Sequence, residues 1–321
     1  MTVAILGGTG FVGTAVAERL VARGQAPLAI ARGQHAVHLP KGARFVAADR
    51  MDGRRLVELF RENDIDTVID IFCLGLKNTA PVLEAMGAVG GRYVMLSSVD
   101  VYANYGGLLK RETPPIQSAP AKEDDPLRSF RFPYRNNSRR PQGVQNDLFE
   151  DYDKIILEEA AAADGRFETT VIRAPMIFGP GDKQHRFAWA IEAAKKGGVA
   201  NLDQRAAKWP ASYAYITDIA EAIALAATAP RAAGRIYNVG QPFVRNPVEW
   251  LLSFAVVLNT PVEVQEVPPE ARGLQAERAD ANDLRYPLTL DTSRIRQELG
   301  FTEIVPEREA LRATIAAETS R

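Results

Sequence analysis

"TVAILGGTGFVGTAVAERLVARG", residues 2–24, is the stretch whose reading decides the fold. The apolar run 2–7 reads as a buried strand, Gly7, Gly10 and Gly13 as the turn after it, and 14–24 as a helix closed by Gly24. Glycines at this spacing permit a tight turn, close approach of backbone to a pyrophosphate, and close packing of helix on strand. The helix start adds free N–H groups and the positive end of a dipole, both suited to an anion. Gly7, Thr9, Gly10, Phe11, Val12 and Gly13 are therefore the expected phosphate-cradling positions. A glycine pattern alone is weak; the strand before it and the βαβ series after it give it weight.

Working outward, strands are expected at 27–32, 43–49, 67–73, 92–98 and 168–175, with helices near 53–63 and 79–89 and a further one carrying Lys154. Strands of continuous Val, Ile, Leu and Ala separated by helices imply an α/β fold, a Rossmann-type doubly wound parallel sheet covered on both faces. Past residue 176 the pattern is mixed, with helices around 186–196, 217–228, 247–258 and 306–318. Within the first half lies a Pro-, Asn-, Arg- and Asp-rich insertion, 103–148, with little periodicity. A loop that long is usually functional or disordered; Phe130, Phe132 and Tyr134 argue that part of it packs.

Composition narrows the classes. A chain of 321 residues, 46% hydrophobic and 25% charged, is that of an ordinary globular protein with one large or two smaller domains. A net charge of −1 offers no general attraction to nucleic acid or acidic membrane. The single cysteine, Cys73, excludes an internal disulfide framework, and His35, His38 and His185 are too scattered to suggest a metal site. No stretch reads as a leader or a membrane span, so a reducing, cytoplasmic setting is the expectation.

The end of the second strand bears on cofactor choice. An Asp or Glu there would hold the ribose hydroxyls of NAD, but "ARGQH" (31–35) places Arg32 instead. A guanidinium suits a 2′-phosphate, so NADP is favoured over NAD. Asp49, ending the third strand, is placed to meet the adenine amino group, with Arg50 beside it.

"GGTGFVG" (7–13), "SSVDVY" (97–102), "RAPMIFGPGD" (173–182), "YAYITDIAEAI" (213–223), "IYNVG" (236–240) and "LDTSRIRQELGF" (290–301) together resemble an extended short-chain dehydrogenase/reductase. More narrowly, the chain is similar to the NAD-dependent epimerase/dehydratase group. That resemblance implies a Rossmann domain over 1–175 plus about 211–241, and a smaller discontinuous substrate domain over 176–210 and 242–321. It implies an NAD(P)-dependent oxidoreductase or epimerase acting on a sugar nucleotide or related polyhydroxylated metabolite. By motif match Ser98 falls on the catalytic serine or threonine and Lys154 on the catalytic lysine, which also holds the nicotinamide ribose. Phe72, Cys73, Leu74 and Ser97 would lie along the dinucleotide, and Pro175 would approach the nicotinamide.

The family's tyrosine, four residues before the lysine on one helix face, is missing here: that position is Glu150. Tyr152 would lie about 200° away on a continuous helix. Three accounts remain open. Glu150 is itself the base; or a tyrosine arrives from elsewhere, Tyr102, Tyr105 or Tyr134; or there is no hydride chemistry and the protein is a non-redox dinucleotide sensor or RNA-binding relative.

On the substrate side, the insertion carries Lys110, Arg111, Arg128, Arg131, Arg135, Arg139 and Arg140 among aromatics, a set that could close over an anionic ligand. Glu123, Asp124 and Asp125 make the local field mixed, a solvated loop is the competing account, and nucleic acid is an unlikely partner. Asp182, Gln184, Arg186 and Tyr215 are the expected substrate contacts, with Trp209 and Tyr213 able to pack on a sugar or base and Trp250 expected in the core. The resemblance makes the helix bearing Lys154 a candidate for pairing two copies into a homodimer.

Overall fold

The structure, a computed structural model, describes residues 2–34, 38–136 and 146–320; His35, Arg139 and Arg140 lie outside the described residues. The first half runs β1 (Val3–Leu6), α1 (Phe11–Ala22), β2 (Leu28–Ala31), β3 (Arg44–Ala47), α2 (Gly53–Glu62), β4 (Thr67–Asp70), α3 (Leu76–Val89), β5 (Arg92–Ser98), α4 (Ala103–Leu108), α5 (Asn146–Glu150), α6 (Lys154–Ala163) and β6 (Glu168–Ala174). The second half adds β7 (Met176–Phe178), α7 (Ala188–Lys196), β8 (Gly198–Asp203), α8 (Gln204–Ala207), β9 (Tyr213–Tyr215), α9 (Ile216–Thr228) and β10 (Ile236–Asn238). It closes with α10 (Pro247–Leu258), β11 (Val262–Val267), α11 (Ala276–Ala281), α12 (Ser293–Leu299) and α13 (Glu307–Thr319).

Seven strands form one sheet in the order β3-β2-β1-β4-β5-β6-β10, and every pairing is parallel. Chain order reverses between β1 and β4, which opens a crevice at the carboxyl ends of those strands. Alternation along the strands separates two apolar layers. Val3 and Ile5 join Val16 and Leu20 of α1 and the buried face of α9 on one side; Ala4 and Leu6 join Leu56, Phe60, Val82 and Met86 on the other. Glu221 of α9 accepts from Arg19 at 2.7 Å and from Arg23, which ties α9 to α1. Two short parallel pairs, β8–β11 and β7–β9, lie beyond the main sheet.

Two sequence expectations are corrected. The helix that was to carry both Glu150 and Lys154 is broken: α5 ends at Glu150 and α6 starts at Lys154, with Asp153 as its N-cap (φ −159°, ψ 108°) accepting from the Ile155 N–H. Tyr152, in the break, makes an antiparallel bridge to Gly75, and the Asp151 carboxylate accepts from the Lys77 N–H at the start of α3. The insertion, in its described part, is not a solvated loop. Ala121 exchanges backbone hydrogen bonds with Thr289 and Asp291, Asn104 donates to the carbonyls of Gln117 and Pro287, and Arg128 is 1% exposed. Among the described residues no helix is long and apolar enough to cross a membrane.

Candidate functional site

The glycine turn has the shape a diphosphate requires. Gly7 sits at φ +81°, in the region glycine adopts without strain. A Cβ on Gly13 would lie 2.2 Å from the Gly7 carbonyl oxygen, so α1 can start against β1 only with glycine there. Gly10, by contrast, is exposed, and a Cβ on it would meet only the Gly7 oxygen at 3.4 Å. Gly10 is the N-cap of α1, no side chain caps the helix, and no acidic residue sits in its first turn. The N–H groups of the Phe11–Val12–Gly13 turn are thus left for an anion, and the cradle fits a dinucleotide phosphate. Thr9 is half-buried at the turn, and Phe11 packs where a Cβ of Gly181 would touch its ring at 3.1 Å.

Arg32 follows β2, exposed, with no hydrogen bond or ion pair among the described residues. Asp49 is exposed and accepts from the Met51 N–H in its own turn. Arg50 is committed elsewhere. It donates to both oxygens of the buried Asp70 at 2.9 and 2.6 Å and to the Asn78 carbonyl. Asp70 also accepts from Tyr93 Oη and the Phe72 N–H, so this network shapes the backbone at the end of β4. Cys73 is fully buried, its thiol pushed up by burial; it contributes its main-chain carbonyl. Phe72 and Leu74 on either side are half-buried.

Lys154, 5% exposed, donates to the Cys73 carbonyl and, at 2.7 Å, to the Leu96 carbonyl, with the Cys73 sulfur 3.6 Å away. Its ammonium lies 5.7 Å from the centre of the Tyr152 ring. Tyr152, which helical spacing set aside, reaches the site because the helix is broken before Lys154. Its hydroxyl donates at 2.7 Å to Asp100 Oδ2, while the Asp100 N–H donates to Ser98 Oγ at 3.2 Å. Ser98, Asp100, Tyr152 and Lys154 therefore stand together at the carboxyl ends of β4 and β5. Burial, then the nearby Asp100, pushes the Tyr152 phenol well above its ordinary value. Burial also raises Asp100, against the pull of Arg128 and the Tyr152 hydrogen bond.

The other candidates are engaged elsewhere. Ser97 points to the opposite sheet face and bonds to Glu158, which also pairs with Arg173 at 2.6 Å. Tyr102 donates to Asn238 and accepts from Arg173, and burial pushes it up to about 12. Glu150 accepts from the Asn136 N–H of the insertion. Tyr134 does arrive beside the site: its ring meets Tyr152 edge-on at 4.9 Å, and its hydroxyl shares a 2.7 Å bond with Tyr105. Arg128 locks this arrangement, with Nε on the Asp100 carbonyl and its terminal nitrogens on Asp153 at 2.9 and 3.3 Å.

Pro175 is buried after β6, against Gly240. Asp182 is 4% exposed and accepts from Arg186 at 2.6 Å and from the Gln184 N–H, so the two charges cap one turn; Gln184 itself is exposed. Burial, then the nearby Asp100, pushes the Tyr134 phenol up, and Arg186 pulls weakly the other way. Tyr213, Tyr215 and Trp250 pack with Phe178, Phe187 and Phe254, and Trp209 donates to the Tyr286 carbonyl. These aromatics are core. Among the described residues no cluster of His, Cys, Asp and Glu could hold a metal ion.

A model of the NAD dependent epimerase/dehydratase family matches residues 3–134 and 152–240. The chain is 29% identical, over 99% of its length and 96% of the relative's, to the dTDP-6-deoxy-L-talose 4-dehydrogenase (NAD(P)(+)) of Kitasatospora kifunensis. It is 27% identical, over 87% of its length and 73% of the relative's, to the 2'-dehydrokanamycin reductase of Streptomyces kanamyceticus. Among solved structures, the UDP-glucose-4-epimerase of Stenotrophomonas maltophila with bound NAD and formylated UDP-arabinopyranose superposes with a TM-score of 0.72 at 17% identity, covering 100% of this chain and 98% of that one. At that identity the superposition speaks for the fold.

Proposed function

The chain belongs to the NAD-dependent epimerase/dehydratase family, and from that premise we propose that this enzyme oxidises or reduces a ring carbinol of a sugar nucleotide or related polyhydroxylated metabolite, in one direction or as a two-step epimerisation. The observation that carries this is the convergence of Ser98, Asp100, Tyr152 and Lys154 beside the glycine turn's crevice. The substrate class draws support from the Kitasatospora relative, named for a dTDP sugar. Residues 176–210 and 242–321 form the substrate side in this reading, with Gln184 and Arg186 toward the ligand.

A bound nicotinamide dinucleotide would supply the acceptor and donor of hydride. The chain's own residues do the rest. The N–H groups of Phe11, Val12 and Gly13 bind the diphosphate, and the exposed Arg32 favours the 2′-phosphate of NADP. Lys154, held by two carbonyls with its third donor on the weak acceptor Cys73 Sγ, can turn that donor to a ribose hydroxyl while its charge stays fixed beside Tyr152. Ser98 Oγ binds the reacting oxygen. Tyr152 moves the proton: its hydroxyl has a carboxylate partner, whereas Tyr134 and Tyr102 spend theirs on Tyr105 and Asn238.

Tyr152→Phe should lower kcat about a hundredfold or more while leaving dinucleotide affinity unchanged. The check is absorbance at the reduced-nicotinamide band with dTDP- and UDP-sugars, together with a product assay for the redox-neutral case. If Tyr134→Phe abolishes turnover and Tyr152→Phe does not, the assignment is wrong. No turnover of any sugar nucleotide with either cofactor would remove the substrate class.

A further inference from the structure

Most buried carboxylates among the described residues are met by arginine, as Asp70 by Arg50, Asp153 by Arg128, Glu158 by Arg173 and Asp182 by Arg186, while Asp218 instead accepts two backbone N–H groups. Asp100, 3% exposed, has no such partner. Its Oδ2 accepts from Tyr152 at 2.7 Å, and its Oδ1 has no hydrogen-bond partner among the described residues. The guanidinium closest to it is spent, since Arg128 donates to the main-chain carbonyls of Asp100 and Phe130 and to Asp153. An ionised carboxylate with an orphan oxygen in a buried site is costly, whereas a protonated one is less so.

We propose that Asp100 is the second proton-carrying group of the site, taking the proton of Tyr152 when Tyr152 accepts one from the substrate hydroxyl and giving it back when the ketone is reduced. The inference rests on the role given to Tyr152 above. In the oxidising direction the substrate O–H bond breaks and a Tyr152 Oη–H bond forms, while the original Oη–H bond breaks and an Asp100 Oδ2–H bond forms. An oxidised nicotinamide, when bound, would accept the carbinol's C–H hydrogen with its electron pair, so that the substrate would be oxidised and the dinucleotide reduced. The relay removes the need to create a bare phenolate, which burial disfavours at Tyr152.

The groups facing Asp100 set its balance. Lys154 of α6 and Arg128 of the insertion favour the carboxylate; burial and Asp153, the cap of α6, favour the acid. Tyr152, Tyr134 and Tyr105 form the remaining wall, and the charge of Asp100 pushes all three phenols up. Oxidation needs the carboxylate and reduction needs the acid. The oxidation rate therefore rises with pH as Asp100 loses its proton, later than for an ordinary carboxylate, and the reduction rate falls over the same interval.

Infrared difference spectra of the protein without cofactor or substrate should show a protonated-carboxyl band that fades as pH rises. Asp100→Asn should remove one component of that band, the components of Asp218 and Glu123 staying, and Tyr152→Phe should shift the same component, because its hydrogen bond is lost. In turnover, Asp100→Asn should lower kcat about a hundredfold with little change in substrate KM, and abolish the pH limb; Asp100→Glu should recover part of the rate. The relay is overturned if Asp100→Asn keeps the native rate and pH limb, or if no component of the titrating band is lost in that variant. Should Asp100→Asn not fold, a band left unmoved by Tyr152→Phe overturns it equally. Because the infrared titration needs no substrate, absence of turnover with sugar nucleotides would count against the proposed function and leave the proton site to be judged separately.

Discussion

Gly10 and Gly13 carry the same residue type for different reasons. A Cβ at Gly13 collides with the Gly7 and Gly8 backbone at 2.2 and 2.7 Å, and backbone cannot yield as a side-chain tip can. Gly13→Ala should cost about 3 kcal/mol or more in chemical denaturation. At Gly10 the space is open, so Gly10→Val should leave the unfolding midpoint nearly unchanged while weakening dinucleotide binding about tenfold or more, measured by titration calorimetry. Arg32 gives a third test at this scale: Arg32→Ala should weaken NADP about tenfold or more and leave NAD affinity nearly as it was, and equal loss of both would end the 2′-phosphate assignment. Which glycines matter was legible in the spacing. That Arg50, next to Asp49, turns inward to Asp70 was not, because its partner lies twenty residues on, in β4, with β1 and β2 between it and β3.

At the scale of elements, the decisive feature is the break between α5 and α6. A visible signal lay in the sequence: Asp153 stands directly before the apolar-periodic run from Lys154, where an N-cap belongs. The family's regular spacing pointed instead to one continuous helix. The break is held by tertiary contacts, Tyr152 to Gly75, Asp151 to the start of α3, and Arg128 to Asp153. Arg128 and Asp153 are 0% and 1% exposed in their side chains, so removing one leaves a buried, unmatched charge. Arg128→Ala should destabilise by about 3–5 kcal/mol in denaturant titration. It should also raise the proteolytic sensitivity of the insertion; an insertion as protected as in the native protein would contradict the staple. Ser129, which donates to Glu112, shows that this segment is tied at its exposed end too.

Across the whole molecule a buried polar chain links the two halves. Ser97 bonds to Glu158, Glu158 to Arg173, Arg173 to Tyr102 and the Glu123 carbonyl, Tyr102 to Asn238, and Glu123 to Arg294 of α12. It therefore joins α6, β5, β6, β10, the insertion and the C-terminal region. Loss of one member strands the others without water. Glu158→Ala should lower the unfolding midpoint by roughly 5–10 °C, on the order of 3–5 kcal/mol, while Glu159→Ala on the exposed side of α6 should change it little. Comparable shifts for both would show that the chain of contacts carries no special share of stability.

The sequence by itself determined the parallel α/β sheet, six of its seven strands, and the glycine turn after β1, because these follow from local periodicity and from what glycine alone permits. It also singled out Ser98 and Lys154, to which the proposed function gives the chemistry. Only the tertiary structure decided which phenol stands beside them. A two-residue offset between Tyr152 and Lys154 means opposite faces on a helix but neighbouring positions in an extended segment, and long-range contacts from Gly75, Lys77 and Arg128 choose the extended form.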